Sequence, residues 1–329
     1  MYKIAVISGD GIGKEVMECC EYLLDKIDIN FSFEYGEAGF ECFNKNGTTL
    51  PEETLKIANK SDAVLFGAST STPGEPSPII NLRKELNVYA NIRPIKSYKG
   101  VKCLREDIDF VIVRENTEGL YSQVEYGDEN RMFAERIITR KASERISKVA
   151  FNLCEKRGES QVTCVHKSNV LKKTDGVFKE SFYNIAKHYP HIKTEDYYVD
   201  AMAMYLITQP QNFDVIVASN LFGDILSDES AGLVGGLGLA PSGNIGDHNG
   251  LFEPVHGSAP DIAGKNIANP CSMILSASMM LDYLGEGETA NSIKTAVEKV
   301  IAECKIRTPD LGGDASTMDV TKAIVKELI

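Results

Sequence analysis

The sequence lacks most of what would mark a secreted, membrane-spanning or nucleic-acid-binding chain. Its eight cysteines (Cys19, Cys20, Cys42, Cys103, Cys154, Cys164, Cys271 and Cys304) form no CxxC pair and no Cys/His cluster, which excludes a spaced zinc motif. A chain of 329 residues has no need of disulfide staples, so reduced, packing thiols are expected. No window approaches eighteen uncharged apolar residues, and the opening MYKIAVISGDG runs as a strand rather than as the basic region of a leader. A formal net charge of −12 leaves no basic face for nucleic acid. There is no internal repeat and no low-complexity tract. With 43% hydrophobic and 25% charged residues, the expectation is a cytoplasmic globular protein of one large or two packed domains, with neither membrane nor nucleic acid as partner.

What the sequence does have is FDVIVASNLFGDILSDES, residues 213–230. The run FDVIVAS is apolar and β-branched like a buried strand, Asn220 suits an N-cap, and a helix from Leu221 would set Asp224 and Asp228 on one face. Like charges at i and i+4 beside Phe222, Ile225 and Leu226 repel unless a cation lies between them. Carboxylates with little His or Cys nearby suit Mg2+ or Mn2+. A solvated acidic helix face is the plain alternative.

Strand-like runs YKIAVIS, DAVLFGA, IDFVIVREN, QVTCVHKSN and FDVIVASN alternate with helical patterns such as GKEVMECCEYLLDKI and SERISKVAFNLCEKR, which is α/β order. Four strands end in polar tips: Ser8-Gly9-Asp10, Arg114-Glu115-Asn116, His166-Lys167-Ser168-Asn169 and Ser219-Asn220. Ligands bind outside the carboxyl ends of strands in such sheets, so convergence on a cleft is expected. Residues 120–140 lack helical periodicity and predict a hairpin arm around Tyr126-Gly127-Asp128-Glu129, whereas GGLGLAPSGNIGDHNG predicts a long functional loop or a crossing between domains. The GDGIG of residues 9–13 is no dinucleotide fingerprint, because its third glycine comes too early; a tight turn into a helix is expected.

From Arg83 to Arg114, eight basic residues face four acidic ones, which suggests an anionic ligand. Arg83, Arg93 and Arg114 could hold carboxylates bidentately, though each read alone is as well a surface or salt-bridge residue. Lys167 at a strand tip could act as a base and Tyr121 as a phenolic acid, against the plainer readings of a surface lysine and a packed tyrosine. Asp200 is a third acidic candidate for the metal set. In GLFEPVHGSAPDIAGKNIANP, residues 250–270, His256, small residues and Asp261 could serve a nucleotide, and an acidic group facing a ribose hydroxyl favours NAD over NADP. A buried Gly/Pro loop would fit the same residues.

Taken in order, GDGIGKEV, LRKELNVYANIRP, VRENTEGLY, HKSNVLK, NLFGDILSDESAGLVGGLGLAP and FEPVHGSAPDIAGKNIANP resemble the β-decarboxylating dehydrogenases acting on isocitrate, 3-isopropylmalate, homoisocitrate and tartrate, over essentially the whole chain. The resemblance implies a two-domain α/β fold of the isopropylmalate dehydrogenase type, not a Rossmann fold, with a protruding β arm for dimerisation. Residues 1–94 with 238–329 would form a terminal domain carrying the adenosine-binding loop. Residues 95–237 would form a central domain with the metal site and dimer interface. It further implies Tyr121 and Lys167 as the catalytic acid/base pair, Ser77, Arg83, Arg93 and Arg114 as substrate contacts, and Asp200, Asp224 and Asp228 as ligands of Mg2+ or Mn2+. NAD would be held by Asn169, by His256, Gly257, Ser258, Ala259, Pro260, Asp261, Ile262, Ala263 and Gly264, and by Asn269. Asp261 and Ile262 stand where NADP-dependent relatives carry Lys and Tyr. Lys167 and Asp200 would enter the site of the neighbouring subunit, which implies a homodimer with shared sites, or a tetramer built from it.

The reaction so implied is NAD-linked oxidative decarboxylation of a (2R,3S)-2-hydroxy acid. The segment TPGEPSPIINLRK is most similar to the methanogen homoisocitrate branch and places a homoisocitrate-type substrate first. Ile79 and Ile80 bring 3-isopropylmalate second. Isocitrate is third, because Ser77 is present but Ile79 replaces the Asn expected four residues before Arg83. A metal- and anion-binding scaffold without turnover would not need Tyr121 and Lys167 together.

Overall fold

The computed structural model describes residues 1–158 and 161–328. Its strands are β1 (Tyr2–Gly9), β2 (Phe31–Tyr35), β3 (Ala63–Ala68), β4 (Ala90–Lys96), β5 (Asp109–Glu115), β6 (Glu125–Asp128), β7 (Arg131–Ala134), β8 (Gln161–His166), β9 (Lys193–Tyr198), β10 (Val215–Ala218), β11 (Pro241–Ile245) and β12 (Gly250–Pro254). The helices are α1 (Ile12–Leu24), α2 (Phe40–Asn46), α3 (Glu52–Lys60), α4 (Pro78–Glu85), α5 (Arg140–Arg157), α6 (Thr174–Ala186), α7 (Val199–Thr208), α8 (Asn220–Leu233), α9 (Cys271–Tyr283), α10 (Gly287–Glu303) and α11 (Thr317–Leu328). Two compact units result: Met1–Val88, Ser97–Glu106 and Val234 onward form one; Tyr89–Lys96 and Asp107–Leu233 form the other. Among the described residues no helix is long and apolar enough to cross a membrane. All eight cysteines are free thiols.

In the first unit the strands lie in the order β2-β1-β3-β12-β11, parallel except for β11, which pairs antiparallel with β12. This is not the 3-2-1-4-5-6 order of a dinucleotide-binding sheet, as the sequence leads one to expect. The middle of β1, Ile4–Ile7, and the whole of β3 are unbroken apolar runs because helices cover both faces of a parallel sheet. After β1 the chain turns sharply: Gly9 and Gly11 have φ of 71° and 57°, and a Cβ on Gly9 would lie 1.7 Å from the Ala68 carbonyl oxygen. Between them, the buried Asp10 accepts the N–H groups of Phe40 (2.8 Å), Glu41 (2.9 Å) and Thr70 (2.8 Å). Its carboxylate thereby caps α2 and pins the loop after β3, so this polar strand tip is structural. Helix α9 is buried on every side over Cys271–Ser278, which its serines permit: Ser276 Oγ donates to Ser272 O and Glu253 O, both at 2.8 Å, and Ser278 Oγ to Leu275 O at 2.8 Å.

The second unit has the order β4-β5-β10-β8-β9, with β5, β10, β8 and β9 parallel and β4 antiparallel to β5. Helix α5 starts on Thr139, whose Oγ1 accepts from Ala142 N at 3.2 Å, and stops at Gly158 in the left-handed region. Its inward face presents Ile146, Ala150, Phe151 and Cys154, and Phe151 stacks on Phe182 (5.3 Å) and Tyr189 (4.9 Å).

Three expectations need correction. The hairpin arm exists as β6 and β7, but its turn falls at Glu129-Asn130, because Asp128 Oδ1 accepts the N–H groups of Asn130 (2.8 Å) and Arg131 (3.0 Å) and closes the turn there. The stretch expected as a long loop contains β11, stabilised by pairing with β12 and by the buried Asn244, whose Nδ2 donates to Leu251 O at 3.1 Å. Helix α8 begins at Asn220 itself, and that side chain is drawn away from capping by a buried arginine, described below. Truncating Phe151→Ala should lower unfolding stability by about 3–5 kcal/mol in urea titration, and a loss under about 1 kcal/mol would contradict this account of the core.

Candidate active site

In the second unit, β4 and β5 run antiparallel with Asn91 opposite Arg114, so Arg93 and Arg114 are diagonal neighbours on one sheet face. They are 5% and 1% exposed, respectively. A guanidinium so buried must find acceptors, and α8 supplies them. The helix can approach because residue 223 is glycine; a Cβ there would stand 2.8 Å from Arg114 Cβ. Arg114 Nε and Nη2 donate to Asn220 Oδ1 at 3.0 and 2.7 Å, and Nη1 bonds Asp224 Oδ1. Arg93 Nη1 donates to Ser227 Oγ (2.7 Å) and Asp228 Oδ1 (3.1 Å) and lies 3.2 Å from Asp224 Oδ1. Asp224 and Asp228 thus share one helical face and are balanced by two guanidinium groups. Tyr121 donates to Asp224 Oδ2, and its ring lies 4.9 Å beneath the Arg114 guanidinium.

These surroundings set protonation. Burial, then the bond to Asp224, raises the Tyr121 phenol above its ordinary value, so it stays protonated at neutral pH. Burial also raises the Asp228 carboxyl, against the pull of Arg93. Arg93 Nε is buried without an acceptor among the described residues. Chemically, the set offers hard oxygen donors to a dication and guanidinium groups to carboxylates, each now satisfying the other. That donor set fits Mg2+ or Mn2+.

Lys167 and Asp200 form a separate pair at the end of β8 and the start of α7; Lys167 Nζ bonds Asp200 Oδ1 and lies 5.8 Å from the Tyr198 ring. That bond holds the exposed Asp200 carboxyl below its usual value. Among the described residues no three His, Cys, Asp or Glu gather around one point, so within a single chain Asp200 does not join Asp224 and Asp228 in one metal-ligating group. Asn169, two residues on, is exposed.

In the first unit, Ser77 occupies the N-cap position of α4 without a capping bond from its side chain. Arg83 is buried against Glu253, with Nε at 3.1 Å and Nη2 at 2.6 Å from Oε1, and Asn244 Nδ2 donates to the same oxygen at 2.7 Å. The loop after β12 is anchored by Ser258, whose Oγ lies 2.7 Å from Thr70 Oγ1 and whose carbonyl accepts Ile12 N at 2.9 Å. A cavity of about 280 Å³ is lined there by Ile12, His256, Ile262, Ala268, Asn269 and Asp310. His256 Nδ1 must donate to Gly257 O (3.0 Å), leaving Nε2 a buried acceptor with no partner among the described residues; burial lowers the ring's pKa and keeps it neutral. Asp261 is exposed.

Several side chains of these clusters were not singled out from sequence: Ser227, Glu253, Asp310, and Asp196, the half-buried partner of the buried His166. Ser227 lies beside Asp228 and could have been found from helical spacing, whereas Asp310 bonds Asn269 (2.9 Å) from a remote segment and carries no local signal. His166 Nδ1 accepts Ser168 N–H at 3.2 Å, so Nε2 donates to Asp196 Oδ1 at 2.8 Å. Burial would raise the Asp196 carboxyl, but Lys179, Tyr183 and His166 outweigh it and hold it at about 2. A carboxyl lowered from 3.8 contributes stability above that pH and loses it as pH falls towards 2. Asp196→Asn should therefore cost about 1–2 kcal/mol at neutral pH, narrowing between about pH 4 and 2 in thermal melts; a gap that widens there would refute the assignment.

Residues 3–325 match the family model described as isocitrate/isopropylmalate dehydrogenase. A 3-isopropylmalate/3-methylmalate dehydrogenase of Methanocaldococcus jannaschii is 58% identical over 333 residues, covering 100% of this chain and 99% of its own. A homoisocitrate dehydrogenase of the same organism is 51% identical over 341 residues, covering 99% and 97%. The crystal structure of isocitrate dehydrogenase from Methylococcus capsulatus superposes with a TM-score of 0.96 at 42% identity, covering 100% of this chain and 99% of that one. The chain therefore belongs to the isocitrate/isopropylmalate dehydrogenase family, whose members are oxidative decarboxylating dehydrogenases acting on a CH–OH group.

Proposed function

We propose that the protein oxidises and decarboxylates a 3-substituted malate of the homoisocitrate type, with NAD+ as oxidant and Mg2+ or Mn2+ as metal, giving a 2-oxo dicarboxylate and CO2. The observation that carries this reading is the cluster of Arg93, Arg114, Tyr121, Asp224 and Asp228, in which anion-binding and cation-binding groups neutralise one another. Arg93 and Arg114 are assigned to the carboxylates of the malate moiety. Arg83, whose Nη1 takes no part in its pair with Glu253, is assigned to a carboxylate ligand. Asp224 and Asp228, with Asp200 of a second copy, are assigned to the metal, which makes the active form a homodimer.

Lys167 Nζ, passing the proton through Asp200 or a water chain, is the group assigned to remove the hydroxyl proton. Tyr121, kept protonated by burial, is assigned to protonate the carbon from which CO2 has left. When bound, the dication supplies positive charge where the oxyanion and enolate develop, and NAD+ supplies the hydride acceptor. His256 Nε2, a bare acceptor at the cavity wall, suits an exocyclic amine of adenine. Asp261 would accept from a ribose hydroxyl and repel a 2′-phosphate.

For the substituent on C3, Ile79 packs against the core around Leu82 and Leu251, whereas Ser77 Oγ makes no capping bond. Ser77, if it faces the C3 substituent as assigned, would favour a third carboxylate and thus the homoisocitrate type. The second reading, 3-isopropylmalate, is favoured by the name of the 58% identical relative. Initial rates with homoisocitrate, 3-isopropylmalate and isocitrate, each with NAD+ or NADP+ and Mn2+, should give the highest kcat/KM for homoisocitrate with NAD+; a tenfold preference for 3-isopropylmalate would replace the first reading by the second. Exchanging Asp261→Lys together with Ile262→Tyr should shift the NAD/NADP ratio of kcat/KM by at least tenfold towards NADP, and an unmoved ratio would remove the cofactor assignment.

A further inference from the structure

Asp175, on the first turn of α6, is 1% exposed, and the roles assigned so far make no use of it. Its Oδ2 accepts the backbone N–H of Lys167 at 2.6 Å and its Oδ1 accepts Arg136 Nη1 at 2.5 Å. Arg136 Nη1 also reaches Thr174 Oγ1 at 3.0 Å, Nη2 donates to Ser219 Oγ at 3.0 Å, and the guanidinium stands 5.2 Å above the Phe222 ring. Arg136 comes two residues after the end of β7, so this ion pair joins the base of the arm, the tip of β8 that carries Lys167, and the tip of β10 from which α8 starts.

A buried ion pair contributes little net stability over well-packed apolar residues, so its worth to this chain is sought elsewhere. Lysine is a point charge on a flexible stem, and what Nζ can reach is set by the backbone that carries it. At Lys167 that backbone is held from one side by Asp175 and from the other by the His166 ring, whose Nδ1 takes Ser168 N–H.

We infer that Arg136 and Asp175 are positioning residues for Lys167: the carboxylate fixes the lysine's own amide, and the guanidinium fixes that carboxylate against the base of the arm and the start of the metal-binding helix. This rests on the assignment of Lys167 to the hydroxyl proton. Loosening the pair should impair the oxidation step while sparing the decarboxylation step, because the latter needs no hydroxyl proton removed.

The test uses the full-length protein with NAD+ and Mn2+. Removing both charges together, in Arg136→Gln/Asp175→Ala, avoids leaving a buried charge unpaired and should lower kcat for oxidation at least tenfold, with KM for the hydroxy acid changed less than threefold. Decarboxylation of the added 2-oxo intermediate should stay within twofold. Arg136→Gln/Asp175→Asn, which restores an acceptor for the Lys167 amide, should recover at least fivefold in kcat. If the alanine variant does not fold, Arg136→Lys, which keeps the charge pair but gives up the hold on Ser219, should show the same split with at least a threefold fall in kcat. Normal oxidation, an equal fall in both steps, or no recovery with asparagine would overturn the inference. Lys167→Met is the control. Normal oxidation in that variant would refute the role of Lys167 itself, whereas an inactive control beside active pair variants would sink only the positioning role.

Discussion

A guanidinium group with 1% of its surface exposed leaves the surrounding chain little freedom. Arg114 at the end of β5 requires acceptors within hydrogen-bond reach, and it has them because α8 presses Gly223 against its Cβ and turns Asn220 and Asp224 towards it. Removing any partner would strand a charge in a low-dielectric setting, at a cost of several kcal/mol. The close approach of α8 and the placement of Tyr121 beside Asp224 go with that one requirement.

The same constraint explains how carboxylates and guanidinium groups can be packed side by side in one folded chain. Two carboxylates four residues apart on a half-buried helix face would repel each other, and two buried arginines would be no better alone. Together they neutralise one another. In the other unit a similar economy holds Arg83 between Glu253 and Asn244.

Much of this was legible in the sequence where the signal was local. Asp224 and Asp228 could be placed on one face because the helical period fixes it. The five apolar runs read as strands are strands, and the GDGIG turn does feed a helix. Strands β2, β4, β9, β11 and β12 were not read as strands, being short, partly polar or interrupted by Gly and Pro. Asn220 was read as a cap from its type and position, a local rule that lost to a distant arginine.

Residue types and periods by themselves determined the α/β class, the helix faces, the polar strand tips and, through six ordered motifs, the family. Only the tertiary structure decided which side chains meet: Asn220 with Arg114, Arg136 with Asp175 and Ser219, His166 with Asp196, Asn269 with Asp310. These pairs join residues far apart in the chain, and their contact depends on strand order and register. A period of 2 or 3.6 residues fixes the direction of a side chain on its own element and carries no information about the element opposite.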